Sequence, residues 1–464
     1  MTRFDLLVVG TGPSGQRAAV QASKLGKSVA ICERREVVGG VCTNTGTIPS
    51  KTFREAVLHL SGIAQRGMYG ASYTVKENIT AEDLLFRCHV VIQREIETVR
   101  LHMRRNGVSV LTGTASFLDA HRLAVTGKAG TAEVEAGKIV LATGSTPSAP
   151  PGVPVDGETV IDSDALLHLK KLPKSLTVVG AGVIGTEYAS MFGALGIEVT
   201  LVDRRPRLLE FLDDEITEAL QFTLRQWNVS LRLGEEVASI AVEAPGRAVA
   251  CLRSGKQIAS DMLLFSIGRQ GATKELNLAA AGLAADERGR LKVDDHYLTA
   301  VPHIYAVGDV VGFPALASTS LEQGRLAACH AFGVPATSMP QLFPYGIYSI
   351  PEISMVGRTE NELTKDAVPY ETGVAHFRET ARGAIVGDVA GLLKLLFHRE
   401  TRKLLGVHIL GTSATELVHI GQAVLALDGT LDYFVETVFN YPTFAECYKV
   451  AALDAFNKLG PKGS

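Results

Sequence analysis

The sequence has no marked excess of charge of either sign, few aromatic residues and no long hydrophobic run. Its 464 residues include 46 Lys and Arg against 49 Asp and Glu, which leaves a net charge of -3 at pH 7. Without a basic excess, nucleic acid and anionic membranes are not expected as partners. No apolar stretch approaches the roughly 18 residues that a membrane span needs, so no membrane partner is predicted.

Cysteine is also scarce. The six cysteines are spread at wide and irregular intervals: Cys32, Cys42, Cys88, Cys251, Cys329 and Cys447. Neither this spacing nor that of the histidines matches a metal-ligand motif, and no disulfide framework is indicated, so no metal site is predicted. Reduced thiols are typical of cytoplasmic proteins, and residues 1–5 lead into an apolar strand pattern without a signal peptide. A cytoplasmic location is therefore expected.

Glycine, by contrast, is abundant, and it forms a dinucleotide-binding pattern near the N-terminus. The apolar residues 4–9 lead into Gly10, Gly12 and Gly15 of a GxGxxG motif, followed by a helical pattern and a short strand that ends at Glu33. Such glycines allow a tight turn, and the helix N-terminus offers N–H groups to a pyrophosphate. A carboxylate at the end of the second strand can accept the hydroxyls of an adenosine ribose.

The same pattern recurs in the middle of the chain. Residues 176–179 lead into Gly180, Gly182 and Gly185, and the acid Asp203 follows the last glycine by 18 residues, as in the first copy. A single GxGxxG motif is weak support, but two copies with strand, turn, helix, strand and acid at equal spacing predict two dinucleotide-binding domains.

The acidic position of the second copy leaves the choice of nicotinamide nucleotide open. Asp203 favours NAD(H), because a carboxylate accepts the ribose hydroxyls, whereas Arg204 and Arg205 can hold the 2′-phosphate of NADP(H). This mixture suits an enzyme that uses both nucleotides. The alternative is that both arginines are only solvated surface charges.

A further motif, GGVCTNTGTIPSK, occupies residues 39–51. It resembles the redox-active segment of the flavoprotein disulfide reductases, such as dihydrolipoamide dehydrogenase and glutathione reductase. The resemblance implies an α/β fold with two Rossmann-like domains for FAD and NAD(P), of the glutathione reductase-like kind, and a C-terminal α+β dimerisation domain. It also implies FAD as cofactor, NAD(H) and NADP(H) as substrates, and a homodimer or higher homo-oligomer.

Proline-rich residues 147–154 and a polar stretch at 333–341 suggest where the domains meet. We expect an FAD-binding domain at 1–148 and an NAD(P)-binding domain at 149–269. A central part at 270–338 would complete the FAD site, and the dimerisation domain would occupy 339–464.

The resemblance also implies site residues. Lys51 and Glu187 are expected to pair as catalytic groups beside the flavin. The two glycine motifs, Glu33, Asp203, Arg204 and Arg205 would bind the nucleotides, as described above. The remaining residues expected to contact a cofactor are Gly40, Cys42, Ala115, Thr143, Gly144, Gly268, Asp309, Ala317 and Ser318.

Two positions depart from the family pattern. The family has a second cysteine where this chain has Thr47, and a histidine before Pro-Thr where this chain has Tyr441. A hydroxyl cannot form a disulfide, and a tyrosine, with an ordinary pKa near 10, is poorly suited to move a thiol proton at neutral pH. The dithiol outlet for electrons is therefore predicted to be absent. Cys42 is then either a reactive thiol or, as we favour, a packed residue.

Without that outlet, the simplest electron acceptor is a second nicotinamide nucleotide. The chain closely resembles the soluble pyridine nucleotide transhydrogenase branch of the family in the segments 46–51, 180–190, 304–309, 347–352 and 439–443. The resemblance implies a Si-specific NAD(P)+ transhydrogenase that moves hydride reversibly, in ping-pong order, from NADPH through flavin N5 to NAD+. One alternative is an NAD(P)H:quinone or other diaphorase-type reductase, and another is a catalytically idle flavoprotein.

Overall fold

The structure is a computed structural model that describes residues 2–70, 76, 78–148, 152–244, 246–336 and 342–460. Parts of the two segments expected to join domains, residues 149–151 and 337–341, lie outside this range, and so do the expected boundaries that fall on them.

The N-terminal region carries the first glycine motif. Its strands are β1 (Thr2–Val9), β2 (Val29–Glu33), β3 (Ser109–Thr112), β4 (Thr114–Phe117), β5 (Arg122–Gly127), β6 (Gly130–Leu141) and β7 (Ser145–Pro147). Its helices are α1 (Pro13–Lys24), α2 (Gly40–Asn44), α3 (Thr47–Ser61), α4 (Ile63–Tyr69) and α5 (Ala81–Arg105).

The middle region carries the second motif. Its strands are β8 (Val160–Asp162), β9 (Ser175–Val179), β10 (Glu198–Asp203), β11 (Val229–Leu233), β12 (Val237–Glu243), β13 (Arg247–Leu252), β14 (Gln257–Ser260), β15 (Met262–Phe265) and β16 (Arg269–Gly271). Its helices are α6 (Val183–Ala194) and α7 (Asp214–Gln226).

The C-terminal part follows. Its strands are β17 (Ile304–Ala306), β18 (Tyr345–Ile347), β19 (Ile353–Gly357), β20 (Tyr370–His376), β21 (Leu392–His398) and β22 (Leu404–Leu410). Its helices are α8 (Ala317–Ala331), α9 (Glu360–Lys365), α10 (Ala381–Val386), α11 (Ala414–Ala426), α12 (Leu431–Glu436) and α13 (Glu446–Leu459).

The first sheet has the strand order β3-β2-β1-β6-β5-β4, and β17 pairs with the end of β6. β1 lies parallel to β2 and β6, whereas β4, β5 and β6 form an antiparallel meander. Leu6, Leu7 and Val8 of β1 are fully buried, as expected for a strand covered on both faces. Because β17 joins this sheet, residues far along the chain return to the first glycine motif.

The second sheet is entirely parallel, with the order β11-β10-β9-β15-β8. An antiparallel three-stranded sheet, β12-β13-β14, is attached to it, and the two-stranded β7-β16 ribbon connects it to the first region. The two glycine motifs therefore lie on two separate doubly wound sheets. Ligands of such sheets bind at the carboxyl ends of the strands.

The C-terminal sheet is antiparallel, with the order β18-β19-β22-β21-β20, and α11 and α13 cover it. Lys394 of β21 is fully buried, and its ammonium lies 2.8 Å from a carboxylate oxygen of Asp213, the residue that caps α7 of the second region. The carboxylates of Glu215 and Glu360 also form ion pairs with the Lys394 ammonium. This cluster ties the C-terminal domain to the second nucleotide domain.

Helices α3 and α5 of the first region pack against the second region. Phe53 of α3 contacts Tyr188 and Phe192 of α6 with ring centroids 6.3 and 5.9 Å apart.

The helix α5 begins at a capping box formed by Thr80 and Asp83, which satisfies its first free N–H groups. Within the described ranges, no helix combines the length and apolar character needed to cross a membrane.

Candidate active site between the two glycine motifs

The turn between β1 and α1 has the close backbone packing that a pyrophosphate site needs. Gly10 has φ of +109°, and a Cβ there would lie 2.3 Å from the carbonyl oxygen of Ala142. A Cβ on Gly15 would lie 1.9 Å from the carbonyl oxygen of Gly10, so only glycine lets the helix approach the strand this closely. At Gly12 the space is open. The N-terminus of α1 can therefore receive a phosphate.

Glu33 lies on the wall of the same cleft, at the end of β2. Its Oε2 accepts hydrogen bonds from the backbone N–H of Thr11, at 3.3 Å, and from the Thr11 hydroxyl. Its Oε1 accepts one from the backbone N–H of Arg35 at 3.0 Å. The Thr11 hydroxyl also accepts from the backbone N–H of Gly39 at 2.9 Å. These contacts fix the carboxylate where a ribose would meet it.

The cleft has a volume of about 170 Å³. Its lining includes most of the residues expected to bind FAD: Gly10, Gly12, Glu33, Gly40, Cys42, Ala115, Thr143, Gly144, Asp309 and Ala317. The Thr143 hydroxyl is buried and makes no hydrogen bond within the described part of the chain, so it is available to a polar ligand. Asp309 accepts a hydrogen bond of 2.7 Å from the Ser145 hydroxyl, which orients its carboxylate.

Two of the expected residues do not line this cleft. Ser318 is exposed, and Ser320 lies on the wall instead. The reason is helical geometry: α8 begins at Ala317, and residues three apart share one face of a helix. Gly15 is absent from the wall because it packs against Gly10, as described above.

The turn between β9 and α6 repeats the first. Gly180 has φ of +104°, and a Cβ there would lie 2.6 Å from the carbonyl oxygen of Ser266. A Cβ on Gly185 would lie 1.9 Å from the carbonyl oxygen of Gly180, as in the first copy. Gly182 adjoins free space, and Gly268, with φ of +133°, lies in the loop between β15 and β16. The second turn therefore has the same capacity for a pyrophosphate.

Asp203 and Arg205 form one unit at the end of β10. Arg205 donates from Nε to Oδ1 of Asp203 at 2.9 Å and from a terminal nitrogen to Oδ2 at 2.7 Å. Burial raises the pKa of Asp203, but hydrogen bonds from Arg205 and from the backbone N–H of Ala181 outweigh it, so the pKa lies below its usual value. Asp203 is therefore ionised, and its charge is balanced by Arg205. Arg204 is exposed.

Lys51 and Glu187 are brought together from α3 and α6. The Lys51 ammonium lies 2.9 Å from both carboxylate oxygens of Glu187. The Glu187 side chain is 3% exposed and that of Lys51 is 25% exposed, so the pair is sheltered but reachable. Lys51 is one turn of α3 away from Thr47, which lines the first cleft. The pair thus stands between the two nucleotide domains.

Cys42 and Thr47 are neighbours in the first cleft. Both residues line the cleft wall. Burial raises the pKa of the Cys42 thiol above its usual value, by more than the neighbouring Thr47 hydroxyl lowers it. The six cysteines are all free. Because a hydroxyl cannot form a disulfide, Cys42 and Thr47 do not make a dithiol pair.

Sequence reasoning missed two residues of this site. Tyr348 donates its backbone N–H to Glu187 at 2.8 Å, and its ring lies under the Lys51 ammonium. Arg269 donates to the Ser145 hydroxyl at 2.9 Å and so supports the residue that orients Asp309. The only sequence signals were that Tyr348 belongs to the segment 347–352 and that Arg269 follows Gly268.

The chain has two sheets, each with a glycine turn that can receive a pyrophosphate, and an ion pair between helices of the two regions. This arrangement defines an oxidoreductase that brings two dinucleotides together. The chain belongs to the pyridine nucleotide-disulphide oxidoreductase family: residues 4–324 match the family itself and residues 343–452 match its dimerisation domain.

Similar proteins agree with this assignment along the whole chain. The soluble pyridine nucleotide transhydrogenase of Mycobacterium bovis is 56% identical over 461 residues, which cover 99% of this chain and 98% of that protein. The protein of the same name from Colwellia psychrerythraea is 45% identical, covering 98% of each chain. Among solved structures, LpdA of Mycobacterium tuberculosis is 25% identical with a TM-score of 0.89, covering 99% of this chain and 100% of that one.

A second solved structure, the HOCl-induced flavoprotein disulfide reductase RclA of Escherichia coli, is 27% identical with a TM-score of 0.87, covering 97% of this chain and 99% of that one. The predicted family, the predicted resemblance to soluble pyridine nucleotide transhydrogenases and the predicted fold class are thereby confirmed. A dimerisation domain is present, as predicted.

Proposed function

We propose that this protein is an FAD-dependent, Si-specific NAD(P)+ transhydrogenase, which moves a hydride from NADPH to NAD+ reversibly and in ping-pong order. One observation carries the proposal: Thr47 lines the same cleft as Cys42 at the position where a disulfide would need a second cysteine, while both dinucleotide turns are intact. Such a protein keeps both dinucleotide sites needed to accept a hydride, but it lacks the dithiol that would receive the electrons next. The names of its relatives support the same activity.

The residues of the first cleft fit FAD. A buried Thr143 hydroxyl without a partner in the described chain, a carboxylate at Glu33 and an oriented carboxylate at Asp309 face a cleft whose turn admits only glycine. Gly10 and Gly12 would hold the pyrophosphate, Glu33 the adenosine ribose and Asp309 the ribitol chain. FAD, when bound, would supply the group that takes up a hydride and gives it back.

Lys51 is the residue that we assign to charge stabilisation. Its ammonium would offset the negative charge that develops when a hydride arrives, and Glu187 would hold it in place through two hydrogen bonds of 2.9 Å. Preorganised charge of this kind is effective because the protein does not have to reorient during the reaction. The sheltered position of the pair strengthens the interaction further.

Both nucleotides would use the second turn, one after the other. Asp203, neutralised by Arg205, can accept ribose hydroxyls of NAD(H) with its outer lone pairs. The Arg205 guanidinium, 40% exposed, can at the same time donate to the 2′-phosphate of NADP(H). In the absence of Arg205, an ionised carboxylate about 4 Å from the phosphate would oppose it by several kcal/mol at an effective dielectric near 20.

We further propose that the protein is a homodimer in the cytoplasm. The dimerisation domain and the exposed apolar residues on its surface support a homodimer. Six free cysteines support a reducing compartment. We propose that the FAD-binding domain spans residues 1–148, the NAD(P)-binding domain 149–269, the central part 270–338 and the dimerisation domain 339–464. The pairing of β17 with β6 supports assigning the third of these parts to the FAD site.

The test is the reduction of thio-NAD+ by NADPH with purified yellow protein. We expect turnover without any other acceptor. When NADPH is varied at several fixed concentrations of thio-NAD+, the double-reciprocal plots of initial rate should be parallel lines, as ping-pong order requires. In stopped flow, NADPH should bleach the flavin, and NAD+ should restore its colour at a rate no slower than turnover.

Two results would contradict the proposal. If NADPH bleaches the flavin but only a quinone restores it, the protein is a quinone reductase. If FAD is bound but neither NADPH nor NADH bleaches it, the protein is not an oxidoreductase of these substrates.

A quinone reductase is the second candidate, because Thr47 borders two clefts. The second cleft, of about 780 Å³, is lined by Thr47, Lys51, Trp227 and Tyr348 together with further apolar, polar and charged residues. A cleft of this size beside Thr47, with two aromatic side chains on its wall, suits a planar acceptor. The reoxidation experiment above separates the two candidates.

A further inference from the structure

A short segment of the C-terminal domain, residues 348–352, contacts both helices that carry the Lys51–Glu187 pair. It lies between β18 and β19. Its own carboxylate, that of Glu352, accepts hydrogen bonds from the backbone N–H and the hydroxyl of Thr415, at 2.7 and 2.6 Å. The segment is thus anchored on its own domain at the start of α11.

Helix α6 meets this segment through two residues one turn apart. The backbone N–H of Tyr348 donates to Oε1 of Glu187 at 2.8 Å, and the backbone N–H of Ile350 donates to the hydroxyl of Ser190 at 2.9 Å. Glu187 and Ser190 are three residues apart, so they lie on the same face of α6. The carboxylate that holds Lys51 is therefore itself held by the C-terminal domain.

Helix α3 meets the segment in the same way. Arg54, which is 6% exposed, donates from Nε to the backbone carbonyl of Ser349 at 2.9 Å, and its guanidinium lies 3.3 Å from the carboxylate of Glu352. Lys51 is three residues before Arg54, on the same face of α3. Its ammonium lies 4.9 Å from the centre of the Tyr348 ring.

The Tyr348 ring and the Glu187 carboxylate thus hold the Lys51 ammonium between them. A cation over the face of an aromatic ring is attracted by the negative charge of that face. The ring also takes the place of water that would otherwise surround the ammonium. Among the residues that the structure places around Lys51, Tyr348 is the one that contacts both members of the ion pair.

We infer that Tyr348 is a positioning residue of the active site: its backbone N–H fixes Glu187 and its ring fixes and shields the ammonium of Lys51. This inference rests on the function proposed above only for the role of Lys51. The position of the ammonium itself can be measured independently of any hydride transfer.

The experiment compares Tyr348→Leu and Tyr348→Phe in the holoenzyme as purified. The first readout is the rate at which acetic anhydride labels Lys51, determined by mass spectrometry and normalised to Lys128, whose side chain is 88% exposed. We expect Tyr348→Leu to raise the labelling of Lys51 by roughly fivefold, the size typical of a cation–π contact at a partly exposed site. Tyr348→Phe, which keeps the ring, should label as the unmodified protein does.

The second readout is the rate at which NADPH bleaches the flavin in a single turnover. Tyr348→Leu should slow it, and Tyr348→Phe should not. The matched control is Tyr345→Leu, because the Tyr345 ring packs at a tilt of 52° against Phe211, with ring centroids 5.9 Å apart, and lies outside the Lys51 contacts. It should leave both readouts unchanged. If Tyr348→Leu does not retain FAD, Tyr348→Met, which fills the space with a flexible side chain, replaces it.

Each outcome decides the matter. Unchanged labelling of Lys51 in the Leu or Met variant would show that the ring does not hold the ammonium. Increased labelling with unchanged bleaching would show that holding it does not serve the reaction. Either result overturns the inference. Failure of NAD+ to reoxidise the flavin would refute transhydrogenation instead, and it would leave the labelling result intact.

Discussion

At the scale of single residues, Thr47 has the largest effect on the chemistry. Its place beside Cys42 on the wall of one cleft could be expected from sequence, because the surrounding GGVC and IPSK motifs fix the turn and the helix on either side. Lys51 and Glu187 could be expected to pair for the same reason. Tyr348 and Arg269 could not, because their roles depend on contacts with residues about 120 to 300 positions away in the sequence.

Changing Thr47 to Cys should restore a disulfide with Cys42. Thr47 lines the same cleft as Cys42, at the position where the family has its second cysteine. Oxidised, denatured protein should contain two fewer titratable thiols than the reduced form, and reduction should produce the long-wavelength absorption of a thiolate beside a flavin.

The control for this change is the double variant Cys42→Ser with Thr47→Cys, which retains a cysteine at position 47 but cannot form the bridge. It should show no loss of thiols on oxidation, because its single cysteine in this segment has no partner for a disulfide. Equal thiol counts in oxidised and reduced Thr47→Cys would mean that the two side chains cannot reach bonding distance.

At the scale of elements, strands and glycine turns were predicted well because buried parallel strands form continuous apolar runs and the turns require glycine. The bounds of helices and strands follow less directly from sequence. Gly62, which has φ of +59°, separates α3 from α4. Gly137, by contrast, stays extended within β6 and does not interrupt it. A glycine in the sequence does not by itself show whether a helix or a strand ends there.

The loop that follows β10 should decide which nucleotide is preferred. Changing Arg205 to Ala removes the counterion of Asp203 and a donor for a 2′-phosphate. We expect the KM for NADPH to rise by roughly ten- to a hundredfold, in line with the loss of a charged hydrogen bond worth about 1.5–3 kcal/mol. The KM for NADH should rise much less. Steady-state kinetics with each nucleotide measures both.

The matched control is Arg207→Ala. It removes the same charge from the same loop, but Arg207 pairs with Asp214, with both carboxylate oxygens at 2.9 Å, and not with Asp203. It should affect the two nucleotides alike and weakly. An equal loss of NADPH and NADH affinity in Arg205→Ala would exclude Arg205 from phosphate recognition.

At the scale of the whole molecule, the surface of the C-terminal domain exposes apolar side chains that a monomer would leave in water. Leu427, Val438 and Tyr441 are 82%, 90% and 72% exposed. Sequence could indicate a dimerisation domain from the family resemblance, but it could not identify these residues as its free surface. Apolar side chains of this exposure on a dimerisation domain are candidates for its contact with a second copy.

Changing Val438 to Glu should weaken the dimer. A carboxylate buried in an interface without a partner costs several kcal/mol, so the dissociation constant should rise by at least roughly tenfold. Light scattering across a dilution series would show monomer at concentrations where the unmodified protein is dimeric. Val242→Glu, the same change on β12 of the nucleotide domain, where Val242 is 41% exposed, should leave the mass unchanged. A dimeric Val438→Glu would place the interface elsewhere.

The fully buried Lys394 pairs with Asp213 and Glu215 of the nucleotide domain, and this bears on how NADP+ and NAD+ exchange places. Breaking a buried ion pair is costly, so we expect the domain that holds the departing nucleotide to stay beside the C-terminal domain during each cycle. The release of that nucleotide would then be limited by the contacts it makes at its own site, among which we propose the contact of Arg205 with a 2′-phosphate. A residue that favours NADP(H) would in that case also slow its departure.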